Sequence, residues 1–307
     1  MSRNPNTWRS NGKLLLTGEY LVMEGALSLA LPINKGQSLT VTQTVNKLLR
    51  WKANKPEGLW FTTEFSLPSL EVIVTDNIDL ASSLAKILLA VRRLSPDFLQ
   101  DNFGLDIVTN LDFNPDYGFG TSSTLISNIA NWADVDPYKL LDLTFGGSGY
   151  DIACARSSEP ILFQRLTHDI YVSDAKFDPD FKENLYFVYL GKKQSSSESI
   201  SNFRKNCKYS SQDIDSISEI TKEIILSNNL NEFEALLMEH ELIMSYILNQ
   251  TTVKSLYFSD FPGAIKSLGA WCGDFVLITN PEPDSDFRKT MKDKGFGTVF
   301  RFDELVM

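Results

Sequence analysis

A glycine-rich turn lies directly between an alternating strand and an amphipathic helix. Residues 103–111 alternate apolar and polar side chains, which is the pattern of a strand with one buried face. The turn that follows reads Pro115-Asp116-Tyr117-Gly118-Phe119-Gly120-Thr121-Ser122-Ser123, and apolar residues then recur at helical spacing from residue 125 to residue 132. Unpaired backbone N–H groups at a helix start attract anions, so the segment predicts a phosphate-binding loop. An ordinary strand–helix turn capped by Thr121 or Ser122 is the alternative interpretation.

A second string places one acid on another glycine-rich turn. It reads Gly147-Ser148-Gly149-Tyr150-Asp151. Transfer of a phosphoryl group to an alcohol or an acid depends on positioning the reactants and neutralising the phosphate charge. A phosphate-binding loop and one carboxylate are the smallest set of groups that can do this. The two strings together indicate transfer of phosphate to a small molecule.

Composition limits the other classes of function. The chain has 307 residues, of which 43% are hydrophobic and 22% charged, so we expect a packed core in one large or two ordinary domains. The net charge is −10 and basic blocks are lacking, which argues against nucleic-acid binding. No apolar run reaches the ~18 residues of a membrane helix, and the polar N-terminus lacks the pattern of a signal peptide.

Cysteine and histidine usage adds two expectations. The three cysteines, Cys154, Cys207 and Cys272, are scattered, so we expect free thiols in a reducing, cytoplasmic compartment. The only histidines are His168 and His240, which moves acid–base work onto carboxylates and lysines.

The order of the predicted elements favours an α+β fold. In the first half we expect strands at residues 14–16, 27–33, 39–45 and 103–111, and helices over 80–94 and after 122. In the second half we expect strands at residues 185–190, 264–269, 275–279 and 298–302, and helices over 217–227, 232–248 and 286–294. The order strand, two helices, two strands, helix, strand predicts a ferredoxin-like arrangement. The polar stretch within 163–178 suggests a connection, and we place a domain boundary near residue 170.

A further string opens the chain. We call it the first motif, and it reads Gly12-Lys13-Leu14-Leu15-Leu16-Thr17-Gly18-Glu19-Tyr20. Its lysine enters a predicted buried strand, and this strand ends at a glycine beside an acid. On these residues alone, Lys13 at a solvated strand end and Glu19 at the surface are the alternative interpretation.

Taken together, the strings resemble motifs of the GHMP kinase superfamily, named for galactokinase, homoserine kinase, mevalonate kinase and phosphomevalonate kinase. The first motif, the glycine loop at 115–123 and the Gly147–Asp151 string each have a counterpart there. A third family motif resembles Lys266-Ser267-Leu268-Gly269-Ala270-Trp271-Cys272-Gly273-Asp274. The resemblance implies two lobes: a ribosomal protein S5 domain 2-like, ATP-binding lobe over 1–170 and a ferredoxin-like lobe over 171–307.

The resemblance also implies roles for the residues. Asp151 would accept or orient the proton of the attacking oxygen, and Lys13 would lie near Asp151 and the transferring phosphate. ATP phosphates would be held by the backbone of the glycine loop, with the Ser122 hydroxyl nearest Mg²⁺; the residues concerned are Gly118, Phe119, Gly120, Thr121, Ser122 and Ser123.

Finer features favour the phosphomevalonate kinase branch. Tyr20 follows Glu19 as it does there, and Gly147–Ala153 resembles that branch more than the mevalonate kinase form. Candidate acceptor-binding residues are Glu19, Tyr20, Lys192, Lys193, Ser196, Lys266, Gly269 and Ala270, with Arg204 as a further cation. Solvated surface charges are the alternative for Lys192, Lys193 and Arg204. Mevalonate kinase, or another kinase of the superfamily, is the competing enzyme; a non-catalytic homologue that binds a nucleotide or sugar-like ligand is the competitor from a different class.

Two departures from the family pattern stand out. Trp271 and Cys272 occupy places where the third motif normally has small glycines, so they would crowd or reshape the pocket. Mevalonate kinases carry a Mg²⁺-binding glutamate about three helical turns before the catalytic aspartate. Counting back from Asp151 gives Leu140, with Asp142 nearby, so this glutamate has no clear equivalent here. His240 fits a structural or a substrate-facing role equally well. The expected partners are ATP and a small acceptor, with no nucleic acid or membrane and with room for a homodimer.

Overall fold

The computed structural model describes residues 5–100, 103–167, 169–192, 196–271 and 273–307. They fall into two units that are discontinuous along the chain. The first unit holds the described residues within Met1–Gly12, Lys35–Pro115 and Phe119–Arg156. The second holds those within Lys13–Asn34, Asp116–Gly118 and Ser157–Met307. Most of the first motif thus packs with the C-terminal half, and a domain division at residue 170 stays a prediction.

Up to residue 156 in the described part of the chain, five strands are followed by a helix, a sixth strand and three further helices. In chain order they are β1 (Asn6–Leu15), β2 (Ser28–Thr44), β3 (Leu48–Lys55), β4 (Gly58–Ser66), β5 (Val72–Thr75), α1 (Ile78–Leu94), β6 (Gly104–Leu111), α2 (Thr121–Ala133), α3 (Pro137–Asp142) and α4 (Tyr150–Ala155). Within the first unit the strand order is β5–β4–β3–β6–β2, with β3 and β6 parallel and the other pairs antiparallel.

Alternating side chains place the core of the first unit on one face of this sheet. In β3, Leu49, Trp51 and Ala53 are buried while Arg50 and Lys52 between them are exposed. The same core contains apolar residues of the helices, including Leu84, Leu88, Ile126 and Ile129. Since α2 is amphipathic, its packing fixes the position of its first turn, where the glycine loop ends.

The second unit continues with β7 (Ile161–Arg165), β8 (Ile170–Asp174), β9 (Leu185–Tyr189), α5 (Ser196–Asn206), α6 (Ser211–Leu226), α7 (Leu230–Leu248), α8 (Val253–Tyr257), β10 (Ile265–Leu268), β11 (Phe275–Thr279), α9 (Asp284–Asp293), β12 (Val299–Arg301) and α10 (Phe302–Leu305). One of its sheets has the antiparallel order β10–β11–β9–β12. That order is the ferredoxin-like one, and the predicted α+β class is confirmed.

Several local expectations need correction. The two apolar runs at 27–33 and 39–45 form one long strand, β2, because nothing between them breaks the extended backbone. The stretch expected to be a connection forms the antiparallel hairpin β7–β8, in which Phe163 pairs with Val172. No strands were predicted from the sequence at the positions of β3, β4 and β5. Within the described ranges, no helix is both long and apolar enough to cross a bilayer.

Candidate functional site

The glycine loop joins β6 to α2 through two left-handed residues. A single 3-10 turn, Pro115–Tyr117, is followed by Gly118 at φ 67° and Gly120 at φ 94°, conformations that favour glycine. Gly120 is the N-cap of α2 and no side-chain hydrogen bond caps this helix end. The first backbone N–H groups of α2 are therefore without the side-chain cap that most helices carry.

The side chains after Gly120 divide between interior and surface. Phe119 is fully buried, edge-on to Phe113 with 5.6 Å between ring centroids, so only its backbone can serve a ligand. The buried Ser123 hydroxyl donates to the Gly120 carbonyl over 2.9 Å. Ser122 is exposed, which leaves its hydroxyl at the surface of the helix start.

Residues 116–118 are held by side chains of the second unit. The Lys13 ammonium donates to the Gly118 carbonyl over 2.8 Å, and the Tyr189 hydroxyl donates to the Asp116 carbonyl over 3.3 Å. The Asp274 carboxylate lies against Gly118 so closely that a methyl group there would overlap it. Lys13 of the first motif and Asp274 of the third motif therefore both contact the entry to the glycine loop.

Asp151 is the second residue of α4, after Gly149 at φ 91°. Its side chain is half-buried, and its Oδ1 accepts the Ile152 N–H over 3.0 Å. A carboxylate in the first turn of a helix is stabilised by the helix dipole. Asp151 belongs to the first unit and Lys13 to the second, and their proximity stays a prediction.

Some of the predicted acceptor residues lie at the surface of the second unit, and others are buried inside it. Tyr20 remains half-exposed; its hydroxyl accepts the Trp271 backbone N–H over 3.1 Å, and burial raises the pKa of that hydroxyl. The Lys192 ammonium donates to the Tyr257 hydroxyl over 3.0 Å, and Arg204 is exposed on α5.

The remaining members are placed as follows. Gly269 has φ 71° and Ala270 is buried. Ser196 begins α5, with its side chain outside the described part, and Lys193 lies outside the described residues altogether.

Glu19 and Lys266, also expected near the acceptor, lie inside the second unit. They belong to what we call the buried ionic cluster, which comprises Glu19, His240, Glu241, Lys266 and Ser267. Lys266 is fully buried and its ammonium donates to Glu19 Oε1 over 2.5 Å. Glu241 accepts the Ser267 N–H at 3.0 Å and the Ser267 hydroxyl at 3.2 Å. The cluster therefore ties the first motif and the third motif to helix α7.

Protonation within the cluster follows from burial. Burial raises the pKa of Glu19, while the neighbouring Lys266 opposes that change. Burial also raises the pKa of Glu241 to about 8, so this carboxyl is largely protonated at neutral pH. It lowers the pKa of His240 well below its ordinary value, and the neutral ring accepts the Gly18 N–H at Nε2 over 3.0 Å. His240 is thus placed as a structural residue.

Sequence reasoning missed Glu241 and Asp274. A signal for Glu241 was available, because it shares one face of α7 with the buried apolar residues Leu237, Met244 and Leu248. No pattern in the sequence pointed to the contact between Asp274 and Gly118, which are separated by most of the second half of the chain.

A cavity of about 360 Å³ opens in the second unit beside Tyr20 and Trp271. Its lining is largely aromatic, formed by these two residues and the buried Phe203, with the buried Leu248 beside them. Glu198, Asn202 and Gln250 at its edge are exposed. Trp271, a departure from the third motif, therefore lines this cavity.

Mg²⁺ prefers oxygen ligands and keeps several waters. Among the residues that the structure describes, no three His, Cys, Asp or Glu side chains are grouped to hold a metal ion. The exposed Ser122 hydroxyl at an uncapped helix start fits an ion that arrives already bound to nucleotide phosphates.

Comparison with known proteins identifies the fold. No family model matches the sequence, and no curated protein matches it either. Solved structures do match over nearly the whole chain. The mevalonate kinase of Methanococcus jannaschii has a TM-score of 0.70 at 13% identity, covering 99% of this chain and 98% of its own.

Two further structures extend the likeness. Streptococcus pneumoniae phosphomevalonate kinase, in complex with phosphomevalonate and AMPPNP, has a TM-score of 0.66 at 15% identity over 96% of this chain and 99% of its own. Lactococcus lactis galactokinase, complexed with galactose, has a TM-score of 0.69 at 12% identity over 97% and 93%. All three are GHMP kinases. The two-lobed fold implied by the sequence motifs is confirmed, and the chain has the GHMP kinase fold.

Proposed function

We propose that this protein is an ATP-dependent small-molecule kinase. The observation that carries the proposal is the glycine loop, in which two left-handed glycines lead into a helix start without a side-chain cap. Such a start offers several N–H groups and the positive end of the helix dipole to a phosphate. The exposed Ser122 hydroxyl lies on the same turn.

Each group of residues would have its own role in the reaction. Backbone groups of residues 118–123 bind the nucleotide phosphates, and Lys13, already on the Gly118 carbonyl, stabilises charge that develops during transfer. Asp151 accepts or orients the proton of the attacking oxygen of the acceptor. Ser122 would hold a Mg²⁺ ion that arrives with the nucleotide, and that ion would supply neutralisation of phosphate charge.

For the acceptor, the sequence resemblance favours phosphomevalonate or a related isoprenoid precursor, and mevalonate is the alternative. The first motif supports this assignment through Tyr20, and Lys192, Lys193 and Arg204 are the cations available to an anionic acceptor. Glu19 and Lys266 are buried, so we assign them the task of holding Tyr20 and the third motif in place.

A single screen tests the proposal. Purified protein with ATP and Mg²⁺ is incubated with mevalonate, phosphomevalonate, homoserine and simple sugars, and phosphorylated products are detected by ³¹P NMR. We expect transfer to at least one acceptor, and loss of ATP binding in a folded Gly120→Val variant, because a side chain there blocks the approach of phosphate. Tight ATP binding with no transfer to any acceptor would favour the non-catalytic, nucleotide-binding homologue instead.

A further inference from the structure

The third motif departs from the family pattern at a residue that lines the cavity. Trp271 stands where a glycine is normal for that motif, and its side chain is only 5% exposed. The indole forms part of the inner wall of the cavity together with Tyr20 and Phe203. A glycine at this position would leave the corresponding space empty.

Trp271 is fixed in place through both its side chain and its backbone. Its Nε1–H donates to the Thr251 carbonyl over 3.2 Å, and the backbone N–H of the same residue donates to the Tyr20 hydroxyl. Tyr20 in turn stacks on Phe203, with 5.2 Å between ring centroids and 23° between ring planes. Phe203 stacks on Tyr209 behind it, at 5.5 Å and 9°. The wall therefore cannot retreat without breaking two hydrogen bonds or a stack of three rings.

We propose that Trp271 sets the size limit for the acceptor. This inference rests on the proposed function and on the position of the cavity beside the first and third motifs. A cavity of about 360 Å³ is near the lower end of ligand pockets, which span roughly 300–1,000 Å³. The acceptor class that fits is a short-chain hydroxy acid, with its apolar part against the aromatic wall and its hydroxyl groups toward Glu198, Asn202 and Gln250 at the edge.

The test uses mevalonate and analogues in which its methyl branch is lengthened to ethyl, propyl and butyl. Calorimetric titration measures the binding of each to the wild type, to Trp271→Ala and to Trp271→Phe, and phosphate transfer is followed in parallel. We expect the wild type to prefer mevalonate over the butyl analogue, and Trp271→Ala to shift that ratio at least about tenfold toward the longer chain. The control Trp271→Phe keeps an aromatic wall and should shift the ratio much less.

The outcomes separate this inference from the proposed function. An unchanged ratio in a folded Trp271→Ala protein, or no binding of the series to any variant, overturns the size limit even if the acceptor screen reveals a kinase. A shifted binding ratio supports the size limit whether or not phosphate is transferred, and the kinase is rejected only if no acceptor of the screen is phosphorylated. If Trp271→Ala does not fold, Trp271→Leu removes the indole with a smaller loss of packing, and the binding ratio is measured in that variant instead.

Discussion

The two units differ in where their polar and charged groups lie relative to solvent. In the first unit, the start of α2 is formed by glycine and hydroxyl residues and lacks a side-chain cap. In the second unit, the buried ionic cluster keeps an ammonium, two carboxyls and an imidazole away from water. Backbone N–H groups can release an anion into solvent, whereas a buried charge needs its partner at all times. Substitutions at the helix start should therefore affect ligand binding, and those in the cluster should affect folding.

The largest effect is expected from breaking the cluster. Lys266→Met removes the ammonium and leaves the Glu19 carboxyl buried without its partner, so the free energy of unfolding should fall by about 3–5 kcal/mol. Urea denaturation measures the change. The matched control is Lys222→Met, which removes an exposed lysine from an ion pair with Glu219 and should cost less than about 1 kcal/mol. Equal losses in the two variants would show that the cluster does not carry the folding energy assigned to it.

A smaller effect is expected at the entry to the glycine loop. Gly118→Ala places a methyl group on the Asp274 carboxylate and also strains a left-handed residue, the strain alone being about 1–2 kcal/mol. Gly146→Ala is a matched control, since that glycine has φ 65° and open space around its α-carbon. Denaturation should show a larger loss for Gly118→Ala, and adding Asp274→Ala should remove most of the difference. Identical losses for the two glycines would contradict the contact with Asp274.

The smallest effect is a dependence of stability on pH. The pKa of Glu241 is raised to about 8 in the folded protein from an ordinary 4.5, so the folded state binds more protons between these values. Its contribution to stability is full below pH 4.5 and is lost as the pH rises through 8, by about 1 kcal/mol per pH unit between pH 6.5 and 8. This window avoids His240, whose lowered pKa acts with the opposite sign below pH 6.5.

Denaturation of Glu241→Gln provides the comparison. The amide cannot ionise, so the slope between pH 6.5 and 8 should flatten. A slope that persists in the variant would mean that another group is responsible.

The difference between the regions also explains what could be predicted from sequence. The approach to the glycine loop was predictable, because alternation in β6 and helical spacing in α2 are local patterns and glycines mark the turn between them. The ferredoxin-like order of the second unit was predictable for the same reason. The strands β3 and β4 were missed although their apolar residues alternate, as at Leu49 and Trp51.

The cluster could not be predicted because it depends on distant contacts. The family resemblance placed Lys266 and Glu19 at the acceptor. Because Lys and Glu are seldom buried, nothing in the sequence indicated a buried pair between them. Residues 19, 241 and 266 meet only after α7 and β10 have packed. Likewise, the departure at Trp271 pointed to a changed pocket, but nothing local to it indicated the contact with Tyr20, which lies 251 residues earlier in the chain.

Asp151 tests the central claim of phosphoryl transfer most directly. Asp151→Asn preserves the shape of the side chain but cannot accept a proton, so kcat with the best acceptor of the screen should fall by at least about 10²-fold. Nucleotide affinity should change little, because the loss lies in the transition state. The control Asp134→Asn, at an exposed left-handed residue that suits asparagine, should leave both unchanged. Wild-type kcat in Asp151→Asn would show that this carboxylate only stabilises the start of α4, and the proposed mechanism would be wrong.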